Sequence, residues 1–320
     1  MAVMDVSASP PPSSRRPIVP YYRNVRGITP RALLCAAICG LIAPLAHAIN
    51  LTNNTGNLTF NDTNPAWTPG STFTNNAMTA TFTADSGSAT STPLSVITNG
   101  GTVTFVATQH LNALTINGGK TLITSGTVKT NALTFATSAG NYTGTLDLTN
   151  DPLILESTAA TKATALSALQ AEVAYGKTHT TGIISSTLTT SMTIAIIDNA
   201  AFGQTSFRGV SVDANSLLAV PAILGDANLD GKVDASDLSI VLANLGSTAS
   251  SFTSGNFDGA ATIDLTDLND VLNNISTSIP AGNLTMAIAA RPAPDVSVVP
   301  EPASFLLSLP VLAVMLRRRK

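Results

Sequence analysis

The stretch Gly225–Leu245, GDANLDGKVDASDLSIVLANL, leaves this chain the least freedom. Asp226, Asn228, Asp230, Asp234 and Asp237 stand at positions 1, 3, 5, 9 and 12 of a twelve-residue loop, and Gly231 stands at position 6, where such a loop turns sharply. Oxygen-bearing side chains at this spacing converge on one point, and Ca²⁺ is a hard cation that takes roughly six to eight oxygens. Lys232, at position 7, offers only its backbone carbonyl and can leave its ammonium in water. Position 12 is Asp rather than the longer Glu, so the cage must tighten. Val233, at position 8, is expected to pin the loop to a partner loop. The run that follows reads as a helix, with Leu238, Val241, Leu242 and Leu245 on one apolar face and Gly246 as the stop. Pro221 leaves no room for an ordinary helix ahead of the loop.

The pattern returns thirty residues on (256 − 226 = 30). Asn256, Asp258, Asp264 and Asp267 fall at positions 1, 3, 9 and 12, and Leu268, Val271, Leu272 and Ile275 match the first helix position for position. Such a repeat predicts two halves packed through their apolar faces. Ala260 and Ala261 stand where an acid and a glycine are expected, which makes the second loop the weaker site. A shifted alignment with Asp258 and Gly259 at positions 5 and 6 needs a two-residue insertion and is less favoured. Over residues 225–276 the tandem resembles a type I dockerin. The resemblance implies a module that folds around Ca²⁺ and docks onto a cohesin-like protein, with recognition residues at positions 10 and 11 of each loop: Ala235, Ser236, Leu265 and Thr266. It is expected to lose its fold without the ion while the rest of the chain stays folded.

Charged residues make up 11% of the chain and aromatic ones 5%, but 44% is apolar, which argues for an ordered, exported β-rich protein rather than a disordered one. From Ile49 to Pro302 there are 18 acids and 7 bases, a balance of 18 − 7 = 11 negative charges. That surface repels nucleic acid and suits cations. Both cysteines, Cys35 and Cys39, lie in the N-terminal apolar run, so removal of that run leaves no disulfide and no thiol chemistry.

Residues 1–48 read as an export signal: five arginines from Arg15 to Arg31, an apolar core over 32–45, and Ala46-His47-Ala48 as a cleavage site. Residues 49–220 read as a β-rich exported domain. Short Thr- and β-branched runs alternate there, with Asn-Gly turns at 99–100 and 117–118. Parts of 104–119 and 144–155 resemble segments of exported bacterial β-solenoid proteins of the autotransporter-associated repeat kind. The expected fold is mainly β, solenoid-like or a sandwich, with laddered Thr and Asn if it is a solenoid, followed by a small α-helical calcium module. One helix interrupts the β pattern over 157–176, with Leu166, Leu169 and Val173 at helical spacing and Gly176 as its stop. Residues 277–299 read as a Pro/Ala/Ser linker. Pro300-Glu301-Pro302, the apolar run 305–316 and Arg317–Lys320 resemble a PEP-CTERM sorting tail. That resemblance implies transient membrane contact through 305–316 and processing by an exosortase-type enzyme, and hence a cell-surface or extracellular location.

No enzyme constellation stands out. His110 and His179 have no metal-ligand spacing between them and His110 reads as structural; no Gly-x-Ser-x-Gly elbow or phosphate-cradling glycine loop occurs. Outside the repeats acids are sparse, and Trp67 is the one tryptophan that could stack on a sugar. The expectation is a non-catalytic surface or matrix protein. The rival is a polysaccharide-degrading glycoside hydrolase, or a carbohydrate-binding accessory, assembled through the dockerin-like module. A carboxylate pair in a groove lined by aromatics would favour the rival.

Overall fold

A computed structural model describes residues 48–61, 67–87, 94–248 and 251–278. The stretches read as export signal and sorting tail, and nearly all of the one read as a linker, lie outside these residues. The β region is a solenoid, not a sandwich: its strands pair in parallel with the strand one turn away. Sheet A stacks Asn50–Asn53, Ser71–Asn75, Leu94–Thr98, Ala113–Ile116 and Leu133–Phe135. Sheet B stacks Leu58–Phe60, Thr79–Phe82, Thr102–Phe105, Gly119–Ile123, Gly144–Asp147 and Gly182–Ile184. Sheet C begins with Gln109–Leu111, Val128–Thr130 and Leu153–Glu156, then ends in antiparallel strands Ser216–Ile223 and Met192–Asp198.

In-register pairing places like residues above one another. Leu51, Phe73, Val96, Leu114 and Leu133 form one column through sheet A. Phe60, Phe82, Phe105 and Ile123 form another through sheet B, with ring centroids 4.5 and 5.3 Å apart for the successive phenylalanine pairs. Edge-to-face contact of Phe73 with Phe82, at 5.5 Å, joins the columns. Outside, the residues that follow the first four sheet A strands form a ladder: Asn76 donates to Asn54, Asn99 to Asn76 and Asn117 to Asn99, at 2.7, 2.8 and 2.8 Å. Asn53 and Asn75 make a buried counterpart at 2.8 Å, and Thr98 meets Thr121 at 2.9 Å. The turn signals have a steric basis. Gly101 has φ +63°, and a Cβ there would lie 2.2 Å from the Met78 carbonyl oxygen of the turn below.

Helix α1 (Lys162–Gly176) buries Leu169, Glu172 and Val173 against the last turn. The helix ends at Gly176, where a Cβ would lie 1.9 Å from the Ile183 carbonyl oxygen. A short helix α2 (Asn199–Phe202) follows the strand Met192–Asp198, and the loop–helix repeat carries α3 (Ala235–Asn244) and α4 (Leu265–Asn274).

Every residue of the strand Ser216–Ile223 is buried. Leu217 and Ala219 face the solenoid core, while Leu218, Val220 and Ala222 face a second apolar core shared with Ala227, Leu229, Val233, Val241, Ile263 and Val271 of the loop–helix repeat. Pro221 is tolerated because the strand has by then passed its last partner on the Leu153–Glu156 side, Ala219. Phe82→Ala is expected to cost about 3–5 kcal/mol in urea unfolding, against about 1 kcal/mol or less for the exposed ladder change Asn99→Ala. A second measurement concerns Glu172, whose carboxyl burial pushes up to about 8. The folded chain holds that proton more tightly than the unfolded one, so its stabilisation is complete at acid pH and is lost as pH rises through about 8. Stability should fall by about 1 kcal/mol per unit from about pH 5 to about pH 8, and Glu172→Gln should flatten that slope.

Candidate metal centre

The strand Ser216–Ile223 delivers the chain to the first loop with only Leu224 and Gly225 between. Gly225 has φ +99°, and a Cβ there would lie 2.8 Å from Val271 Cα of the other half. Gly255, thirty residues on, has the same φ and a Cβ there would meet Val241 at the same distance. Alternate residues then divide the work. Ala227 and Leu229 enter the apolar core, Leu229 at a left-handed φ of +59°, while Asp226, Asn228 and Asp230 turn into the loop. Gly231, at φ +86°, makes the sharp turn expected at position 6.

The first loop is organised by two buried carboxylates. Asp226 is 1% exposed and accepts from the backbone N–H groups of Asp230 (3.2 Å) and Gly231 (2.9 Å). Asp237 is fully buried and accepts from Asn228 N–H (3.1 Å) and Asp234 N–H (2.9 Å). Asn228 Oδ1 accepts from Asp230 N–H at 2.8 Å, and Asp230 Oδ1 from Lys232 N–H at 3.0 Å. Asp234 caps α3, its carboxylate taking Ser236 N–H at 2.8 Å, and with Asp237 it completes a capping box. Burial, then the Asp237 and Asp230 charges, push the Asp226 carboxyl well above the usual carboxylate range. Burial chiefly raises Asp237 too, with Asp230 and Asp234 adding to it.

No ion pair among the described residues reaches Asp226, Asp230, Asp234 or Asp237. Buried acids without a cationic partner must either bind protons or gain a cation. Each carboxylate oxygen keeps a lone pair beyond its backbone bond. The chemistry of these donors suits a hard divalent ion, which Asp226, Asn228, Asp230, Asp234, Asp237 and the Lys232 carbonyl would hold. Among the described residues no three or more His, Cys, Asp or Glu side chains already stand in a metal-holding arrangement. Their oxygens are turned to the backbone N–H groups named above.

The second loop closes differently. Asp267 is fully buried and accepts from Phe257 N–H (2.7 Å) and Asp264 N–H (2.9 Å), and Asp264 caps α4 as Asp234 caps α3. Asn256, though, spans the loop with its own amide, accepting from Gly259 N–H at 2.8 Å and donating to the Ala260 carbonyl at 2.7 Å. The sharp turn falls at Gly259 (φ +78°), position 4, because positions 5 and 6 are alanines. Asp258 is exposed and bonded to Ala260 N–H. An amide donor thus stands at position 1, where the first loop has the carboxylate of Asp226; the first loop's own amide, Asn228 at position 3, donates to Asp230 Oδ2 at 3.3 Å.

Val233 is not paired with Ile263, the matching residue of the other loop. It exchanges hydrogen bonds with Ser276 and Thr277, beyond α4, while Ile263 does the same with Gly246 and Ser247, beyond α3. The helix faces also differ from expectation. Val241 and Val271 are buried and Leu238 and Leu268 half-buried, but Leu242, Leu245, Leu272 and Ile275 are 42–53% exposed. A ten-residue helix crossing another at Val241 and Val271 has no second layer to cover them. Ala235, Ser236 and Thr266 are exposed, and Leu265, at 66%, is the most exposed large apolar residue among those described. The signal for this surface was the excess of leucine over what so short a helix can bury.

His110 and Asp85 form an ion pair at 2.7 Å on the solenoid. No protein family, curated protein or solved structure matches the chain. Asp264→Ala is expected to lower the unfolding midpoint through loss of a helix cap, and by the same amount with Ca²⁺ as with chelator. Thermal unfolding in both conditions checks this.

Proposed function

We infer that this chain is a non-catalytic exported surface or matrix protein whose solenoid carries a dockerin-like, calcium-binding interaction module. The observation behind this reading is the pair of buried carboxylates, Asp226 and Asp237, in one loop with no cationic partner among the described residues. One Ca²⁺ binds, in the first loop, and it replaces the protons those acids otherwise require. The second loop stays metal-free, latched by Asn256. Export, exosortase-type processing and docking to a cohesin-like protein rest on the sequence resemblances; the exposed helix faces around Leu265, Leu242 and Leu272 are the surface offered to that partner.

The shared core changes how the ion acts. A module on a flexible tether would unfold alone when stripped of metal. Here the repeat shares its apolar interior with the strand Ser216–Ile223, so Ca²⁺ stabilises the sheet behind it as well. Calorimetry of the mature protein should show one transition that moves up with Ca²⁺, by about 2.7 kcal/mol of stability when free ion is a hundredfold above Kd. Asp226→Ala with Asp230→Ala should abolish the shift. Equilibrium dialysis should count one ion per chain; none at millimolar Ca²⁺ would refute the reading.

A further inference from the structure

Beneath α1, at the C-terminal end of the solenoid, lies a cavity of about 520 Å³. Leu133 and Leu155 form its wall on the solenoid side, and Ala165 and Leu169 its wall on the helix side. Glu172 lines it too. This residue is only 7% exposed, and its carboxyl forms no hydrogen bond or ion pair among the described residues. A solenoid cap needs apolar side chains here, and α1 supplies them at Leu169 and Val173. Nothing about capping asks for a buried acid one turn from Leu169, where leucine or alanine would fill the same position at lower cost.

The lining selects among ligand classes. An anion would meet Glu172 and Glu156; no Lys or Arg lines the cavity, and Lys129, which pairs with Glu156 at 2.7 Å, also donates to the Ser211 carbonyl at 2.6 Å. A sugar would find no aromatic face, because none lines the cavity. A bare divalent ion wants about six oxygens, and these walls are mainly carbon. A neutral apolar molecule would leave the carboxyl without a partner. An alkyl chain ending in a positive charge satisfies both the walls and Glu172.

We propose that this cavity binds an organic ammonium ion, with its alkyl body against Leu133, Leu155 and Leu169 and its charged head on Glu172. Because burial holds Glu172 protonated up to about 8, binding at neutral pH passes that proton to solvent: R–NH₃⁺ and Glu–COOH become R–NH₃⁺ paired with Glu–COO⁻, and one H⁺ leaves. Tyr142, raised by burial and by the Glu172 charge, and the Glu156–Lys129 pair are the other titrating groups around the site. The site lies apart from the metal loop and does not depend on it.

Calorimetric titration of the full mature chain with hexylammonium, hexanol and hexanoate tests this. Hexylammonium should bind best, with a heat that varies between buffers as release of one proton requires. Glu172→Gln should weaken hexylammonium at least tenfold and leave hexanol unchanged. Leu169→Phe, which fills the cavity without touching the acid, should abolish binding of both. Equal binding of hexanol and hexylammonium, no effect of Glu172→Gln in a folded variant, or no binding at about 10 mM ligand would each overturn the proposal.

Discussion

The strand Ser216–Ile223 holds the molecule together because it has no solvent face. Its odd residues, Leu217 and Ala219, complete the solenoid interior; its even residues, Leu218, Val220 and Ala222, roof the second core. A strand buried on both sides reads as a continuous apolar run rather than an alternating one. It runs antiparallel to both neighbours and so ends the parallel coil of sheet C. Only Leu224 and Gly225 separate its end from Asp226, so the first loop and the sheet share one segment of chain.

Two cores explain the division of labour along the chain. The solenoid gains its order from repetition: each turn presents the same apolar positions to the turn below, and each outer asparagine bonds the one before. The loop–helix repeat gains its order from a two-fold likeness, seen in the matched glycines 225 and 255, the matched caps Asp234 and Asp264, and the crossed pairing of Val233 and Ile263. The likeness fails at one place. Asp226 makes a charged loop that wants a cation, and Asn256 makes a neutral loop that satisfies itself.

Much of this was legible in the residues. The short Thr-rich runs named the strands, and the Asn-Gly pairs named the turns. The thirty-residue repeat placed the two helices thirty residues apart, but not the turn of the second loop, which falls at Gly259. Solenoid and sandwich could not be separated, because alternation reports which face is buried and not which strand lies alongside. Gly176 marked the end of its helix, but its second role, leaving room for the Ile183 carbonyl, shows only once the strand Gly182–Ile184 packs beside it. Leu242 and Leu272 were read as interior because helical spacing counts apolar residues and cannot count the layers available to cover them. The cavity under α1 left no mark at all, since Glu172 looks like any solvated acid on a helix.

The outer asparagine ladder has a direction. Every amide gives its hydrogen to the carbonyl one turn earlier, from Asn117 down to Asn54, so all the links point the same way. A gene segment duplicated by a whole turn adds one more link with the same polarity and disturbs none of the others. A single inserted codon within a strand shifts inside to outside and cuts the chain of amides at that level. Successive links span 22, 23 and 18 residues, so length can change by whole turns or within the loops between strands, but not within a strand.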